Sequence, residues 1–242
     1  MFSGAVSEEK FVKTIEKYRL NNQLLDVGCF RGDILFGAKQ KSWDVHGIEI
    51  SEKAAEYGKI NYDIDINIGS LFDAKYDSNF FDVISMFDVI EHLSDPSSYL
   101  YEINRILRPG GVLYVDTPNF NSINRYIFKE QWSVFFPWHL YYFTPNSLIN
   151  ICHKNSLIVK KVITEDWGPI STNNVYHSLN SGNKISKTPS SNFMKYIFKF
   201  RSIIKPIYKL VKSLINIPLI VLSKLKINIG SKIILIAEKQ SK

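Results

Sequence analysis

The apolar positions change period along the chain, and each change predicts an element. Phe11, Val12, Ile15 and Tyr18 recur at helical spacing behind Ser7-Glu8-Glu9, where acids sit at the positive end of a helix dipole. The pattern then shortens to brief apolar runs. Leu24-Leu25-Asp26-Val27, Val45 to Ile50, Ile64 to Ile68, Phe81 to Phe87 and Val112 to Thr117 are predicted as buried strands. Helical spacing returns between them, at Ile34 to Ala38, from Ser51 (the expected cap) to about Lys59, and at Pro96 to Leu107. Arg108-Pro109-Gly110-Gly111 reads as a turn. Pro145 opens a further helix through Ile151, and Leu157 to Thr164 and Lys232 to Ala237 are the last two strands. The Ser-, Thr-, Asn- and Gly-rich stretch 168–191 reads as loop.

Strands alternating with helices predict right-handed βαβ crossovers and a parallel sheet covered on both faces. Composition agrees: 45% of the 242 residues are hydrophobic and 22% charged, as in a globular chain with a sizeable core. Two cysteines, Cys29 and Cys152, exclude a disulfide scaffold and a cysteine-rich zinc site. The first residues lack the apolar core of a signal peptide, and no apolar run is long enough to span a bilayer, so the expected compartment is the cytoplasm. The net charge of +7 is unevenly placed. Residues 193–242 carry 11 Lys/Arg against one acid, Glu238, whereas the rest carry 19 against 22.

The first strand ends in Asp26-Val27-Gly28-Cys29-Phe30-Arg31-Gly32-Asp33, at the strand end where open α/β sheets bind ligands. Glu49 closes the second strand, 17 residues after Gly32, where a carboxylate can accept two hydrogen bonds from a ribose diol. The glycines are spaced G-x-x-x-G, without the third glycine that a pyrophosphate needs. That loop suits a nucleoside cofactor with a short, uncharged link.

LLDVGCFRGD, VHGIEIS, INIGSLFD, FDVISMFDVIEHLSDP and LRPGGVLYVDTPN follow one another here, with HLYYFTPNSL beyond them. In this order they resemble class I S-adenosylmethionine-dependent methyltransferases, in the subgroup of ubiquinone-type and small-molecule O-methyltransferases. The resemblance covers residues 21–165 and the last strand. It implies an α/β, Rossmann-like, doubly wound sheet of seven strands, mostly parallel with an antiparallel last strand, and helices on both faces. It implies S-adenosyl-L-methionine as cofactor. Asp26, Gly28 and Gly32 would line its methionine part, Glu49 would hold the ribose, and Ser70 and Leu71 would flank the adenine. Phe87 would stand beside the sulfonium, with Glu91 and His92 just beyond, although Phe87 fits a core position equally well. Two positions depart from the pattern. Phe30 replaces a glycine, and Ser70 replaces an acid, leaving Asp73 as a candidate partner for adenine N6.

Methyl transfer from a sulfonium to a hydroxyl needs a positioned nucleophile and a base. Of five histidines, His46, His153 and His177 read as structural or surface. His139 is the expected base, with His92 second; each could instead be a packed histidine. No metal-ligand spacing stands out. Nine aromatics between Tyr126 and Phe143 could wall an acceptor pocket or form a satellite core.

Lys195, Lys199, Ser202, Lys205, Lys209, Lys212 and Asn216 form one polar stripe at helical spacing, the pattern of an interfacial amphipathic helix broken at Pro206 and Pro218. The expected organisation is one methyltransferase domain over 1–242, with an acceptor-side insertion at 120–156 and a basic helical insertion at 193–230. The expected activity is O-methylation of a small, sugar- or lipid-linked acceptor, with 193–227 on an anionic membrane surface and nucleic acid an unlikely partner. Two other readings stay open: an RNA or protein methyltransferase docking through the tail, and a non-catalytic membrane-surface module.

Overall fold

The computed structural model describes residues 8–165 and 230–240. The expected loop at 168–191 and the basic stripe at 193–227 lie outside the described residues.

Seven strands form one sheet: β1 (Gln23–Val27), β2 (Asp44–Glu49), β3 (Asp65–Ile68), β4 (Phe81–Phe87), β5 (Leu107–Pro118), β6 (Leu157–Glu165) and β7 (Lys232–Lys239). Their spatial order is β3-β2-β1-β4-β5-β7-β6. β1 to β5 pair in parallel, and β7 runs antiparallel to both β5 and β6. The order reverses between β1 and β4, where Val27 pairs with Met86, and this is the switch point at which an open α/β sheet leaves a crevice.

Alternation along the strands sends side chains to two cores. Leu24, Val45, Ile66, Val83 and Tyr114 face α1 (Glu8–Ile15), α2 (Asp33–Lys39) and α3 (Glu52–Tyr62). Leu25, Val27, Ile84, Met86 and Leu113 face α4 (Pro96–Ile106) and α6 (Pro145–Lys154). Each fully buried Leu or Ile contributes roughly 1.5–3 kcal/mol, which is why the apolar runs could be read as strands.

Local chemistry fixes the helix starts. Asp95 caps α4 through the N–H groups of Ser97 and Ser98, and Thr144 with Ser147 forms a capping box on α6. Ser51 takes the cap position of α3, but its side chain makes no capping bond. The expected turn at 108–111 belongs to β5 instead, because Leu107 pairs with Phe81 and a register shift follows before Val83 pairs with Val112. A short helix, α5 (Ile123–Phe128), stands in the stretch read only as aromatic-rich, capped by Ser122. Among the described residues no helix is long and apolar enough to cross a membrane.

Candidate active site

The site is built at the carboxyl ends of β1, β2, β3, β4 and β5. The loop after β1 is tied to β2 by two backbone bonds, Gly28 N and Cys29 N to Ile48 O at 2.8 and 3.0 Å. Gly28 has φ +73°, and a Cβ there would come within 2.5 Å of Val89 Cγ2, so only glycine lets this loop lie against the segment after β4. Phe30 has φ +52°, a left-handed conformation disfavoured for a bulky residue. Its N–H is held at 2.9 Å by Glu49 Oε2, while Glu49 Oε1 takes the Ser51 N–H at 2.8 Å. The backbone N–H of Ser51 thus helps to aim Glu49.

Asp26 lies beneath this loop, only 2% exposed, with Ser85 Oγ donating to its Oδ1 at 2.7 Å. Burial pushes its pKa up to about 7, the Ser85 hydrogen bond opposes this, and Glu49 adds to it. Gly32 caps α2 with φ +79°, and Leu71 is buried in the core while Ser70 stays at the rim. The Phe87 ring is taken by the core, edge-on to Phe11 at 5.1 Å and tilted against Tyr114 at 5.4 Å. What Phe87 can offer a cofactor is its backbone at the end of β4.

Beyond Phe87 the chain makes a short helical turn, Ile90–His92, and here distant segments converge. Glu91 is 1% exposed, and Thr117 Oγ1, at the end of β5, donates to its Oε2 at 2.9 Å. The Leu140 and Tyr141 N–H groups bond the Glu91 carbonyl at 2.8 and 3.1 Å, which docks the 132–143 loop on this turn. His92 Nδ1 lies 2.9 Å from the Trp138 carbonyl, and the His92 and His139 rings are 4.6 Å apart, edge to face. Glu91 Oε1 and His139 Nδ1 are both buried and have no hydrogen-bond partner among the described residues. One ligand atom from each of Glu91, His92 and His139 lies within 4.8 Å of the others. This gap can take a hydroxyl group, and its one carboxylate and two imidazoles are also donors that suit a divalent cation. No sequence spacing announced it, because its members come from positions 91–92 and 139.

Electrostatics set the proton states. Burial, reinforced by Asp88, pushes Glu91 up to about 8. Burial and the neighbouring His92 hold His139 below its ordinary value. At neutral pH Glu91 is therefore mostly protonated and His139 mostly neutral. Lys232, at the start of β7, pairs with Asp88 and Asp116 on the floor of the site.

Both expected bases meet here. Glu91 was read from the sequence only as a neighbour of the site, and Thr117 and Lys232 only as strand residues. Their signal, burial of polar groups at strand ends, exists only in the folded chain. His46 is structural as expected, 2.9 Å from Gln23 Oε1 and ringed by Tyr76, Phe80 and Phe81. The aromatics divide: Trp132 and Phe143 are buried, whereas Tyr126, Phe136 and Trp138 stay exposed.

A methyltransferase domain family matches residues 8–160. A ubiquinone biosynthesis O-methyltransferase of Pelagibacter ubique is 28% identical over 165 residues, 62% of this chain and 68% of that protein. A demethylmenaquinone methyltransferase of Symbiobacterium thermophilum is 30% identical over 132 residues, 50% of this chain and 53% of that protein. Three further curated relatives are matched over less than half their length. Among solved structures, a SAM-dependent methyltransferase from Archaeoglobus fulgidus superposes with a TM-score of 0.62 at 16% identity, covering 98% of this chain and 95% of that one. A phosphoethanolamine N-methyltransferase of Haemonchus contortus in complex with S-adenosyl-L-methionine gives 0.56 at 14% identity, covering 96% and 52%.

Proposed function

Because this chain belongs to the methyltransferase domain family, we propose that it methylates a hydroxyl oxygen of a small acceptor, free or carried on a sugar or lipid. It is an S-adenosyl-L-methionine-dependent methyltransferase. The residues present fit that cofactor. Glu49 is aimed by two backbone N–H groups with lone pairs to spare for ribose hydroxyls, and a Cβ at Gly28 would close the loop beside it. When bound, the cofactor supplies an electrophilic methyl group whose leaving thioether is neutral.

The pair Glu91 Oε1 and His139 Nδ1, buried and without hydrogen-bond partners among the described residues, carries the oxygen assignment. An acceptor hydroxyl between them would find both partners. Neutral His139 takes its proton at Nδ1, and protonated Glu91 donates a hydrogen bond from Oε1 to the oxygen as negative charge builds there. Thr117 Oγ1 and the loop bonds to the Glu91 carbonyl hold the carboxyl group in place. One relative's name, a ubiquinone biosynthesis O-methyltransferase, supports transfer to oxygen, and the names of both relatives support a quinone-type, lipid-linked acceptor. Exposed Phe136 and Trp138 beside His139, together with the basic stripe of 193–227, support docking on an anionic membrane surface from the cytoplasm.

The test is transfer of isotope-labelled methyl to a panel of phenols, sugar alcohols and amines. Label in an acid-stable ether, falling about 100-fold in His139→Ala, is the expected result. Label on nitrogen alone would remove the oxygen assignment. Co-sedimentation with anionic vesicles should weaken when the stripe lysines are replaced. Binding to RNA with a steep salt dependence, and none to vesicles, would favour a nucleic-acid acceptor instead.

A further inference from the structure

One cation on the acceptor side takes no part in methyl transfer. β5 ends at Pro118, at the site, and the chain then turns through Asn119 toward α5. Phe120 N donates to Phe143 O at 2.8 Å, which ties this turn to the segment that carries His139. Ring contacts continue the tie: Phe120 lies 5.9 Å from Tyr142, and Tyr142 lies 6.3 Å from His139. Arg125 stands on this wall, in α5.

Its side chain is held, but its charge is not matched. Arg125 is half-buried, and its Nε donates to the Phe120 carbonyl at 2.9 Å. The guanidinium carbon lies over two rings, 4.3 Å from the Phe120 centroid and 4.2 Å from that of Tyr126. Such contacts restrain an arginine that would otherwise sample many rotamers. Nη1 and Nη2 keep their N–H donors, and no hydrogen bond or ion pair takes them among the described residues. A guanidinium stays charged at any working pH. Lys232, on the floor of the site, does not compete for an anion, because it is already paired with Asp88 and Asp116.

We propose that Arg125 clamps an acidic group of the acceptor, a carboxylate or a phosphate, while the acceptor hydroxyl lies between Glu91 and His139. The two terminal nitrogens of a guanidinium match the paired oxygens of either group. Because the rings and the Phe120 carbonyl have already ordered the side chain, little freedom remains to be lost on binding.

The inference rests on the proposed acceptor site, and a binding experiment separates the two. Meta-hydroxybenzoate and meta-hydroxyphenyl phosphate are titrated by calorimetry into the full chain saturated with S-adenosylhomocysteine. Each is paired with a neutral analogue, the methyl ester and resorcinol. The wild type should bind the better acid about tenfold or more tightly than its neutral analogue, as expected for hydrogen bonds between charged groups. Arg125→Gln should bring that ratio close to one, and Arg125→Lys, which keeps the charge without the fork, should retain part of it. If Arg125 only braces α5, both members of a pair weaken together in Arg125→Gln and the ratio survives, which overturns the proposal. A wild type that prefers neither acid, yet loses co-sedimentation with phosphatidylserine vesicles in Arg125→Gln, assigns the cation to a lipid headgroup and overturns it too. The titration involves no methyl transfer, so label on nitrogen alone would remove the oxygen assignment and leave the clamp in place.

Discussion

Lys232 Nζ donates to both carboxylate oxygens of Asp88, at 2.7 and 2.6 Å, and lies 3.0 Å from Asp116 Oδ1. The bond joins the start of β7 to the residue after β4, 144 positions apart. Asp88 itself has φ +53°, and its N–H is bonded to Asp116 O. Burial alone would lower the pKa of Lys232, but Asp88 and Asp116 outweigh it and hold the pKa above its usual value. A buried cation with two acids is costly to break from one side, since the partners are left without a counter-charge.

Lys232→Met should therefore lower stability by about 3–5 kcal/mol, read from the midpoint of chemical denaturation. Adding Asp88→Asn should recover part of the loss, because it removes one of the stranded charges. A double variant no more stable than Lys232→Met would mean that the lysine acts through packing of its stem instead.

Buried carboxyls give the protein a pH slope of defined sign. Burial raises Asp116 to about 6, Asp26 to about 7 and Glu91 to about 8. The folded chain keeps protons there that the unfolded chain has already released, so stability falls as pH rises from about 4 to about 8. His139 works in the opposite sense, but only near its unfolded value of 6.5. Glu91→Gln should flatten the upper part of the slope, raising the melting temperature by several degrees at pH 8 and little at pH 4.5. Parallel curves for the two proteins would show that Glu91 is ionised at little cost.

Strands were legible because a doubly covered sheet needs apolar residues on both faces. Leu24 and Leu25 serve opposite cores, yet read as one run. The start of β5 was hidden, since Pro109, Gly110 and Gly111 are turn residues by type. The structure keeps them in a strand through the irregular pairing with β4, and Arg108 turns inward to bond Asp82 and the Tyr18 carbonyl. Gly28 and Glu49 could be read because backbone turning and diol binding each demand a residue type at a fixed spacing. Glu91 could not, because an acid between Ile90 and His92 looks solvated until Thr117 and the 132–143 loop close over it.

Phe30 holds a left-handed backbone at φ +52° where a glycine would be free of strain. Such strain costs on the order of 1–2 kcal/mol. Phe30→Gly should raise the melting temperature by roughly 2–4 °C per kcal/mol recovered, as scanning calorimetry would show. A lower melting temperature would mean that the Phe30 ring contributes more packing than its backbone costs.

Glu49 makes the sharpest prediction about the cofactor. Its two oxygens are already spoken for once each, by Phe30 N and Ser51 N. A carboxylate has roughly four acceptor sites, so each oxygen keeps one for a ribose hydroxyl, and neither has to turn when the ligand arrives. Glu49→Gln turns one oxygen into a donor that faces a backbone N–H, and it removes the charge. S-adenosylhomocysteine should then bind about 10- to 100-fold more weakly, as expected for losing charged hydrogen bonds. An analogue lacking the 2′- and 3′-hydroxyls should bind the wild type weakly and be nearly indifferent to the substitution. The coupling between protein and ligand changes isolates the diol contact from any loosening of the loop. Equal losses for both ligands would show that Glu49 only shapes the Gly28 to Gly32 loop, and the ribose would have to be held elsewhere.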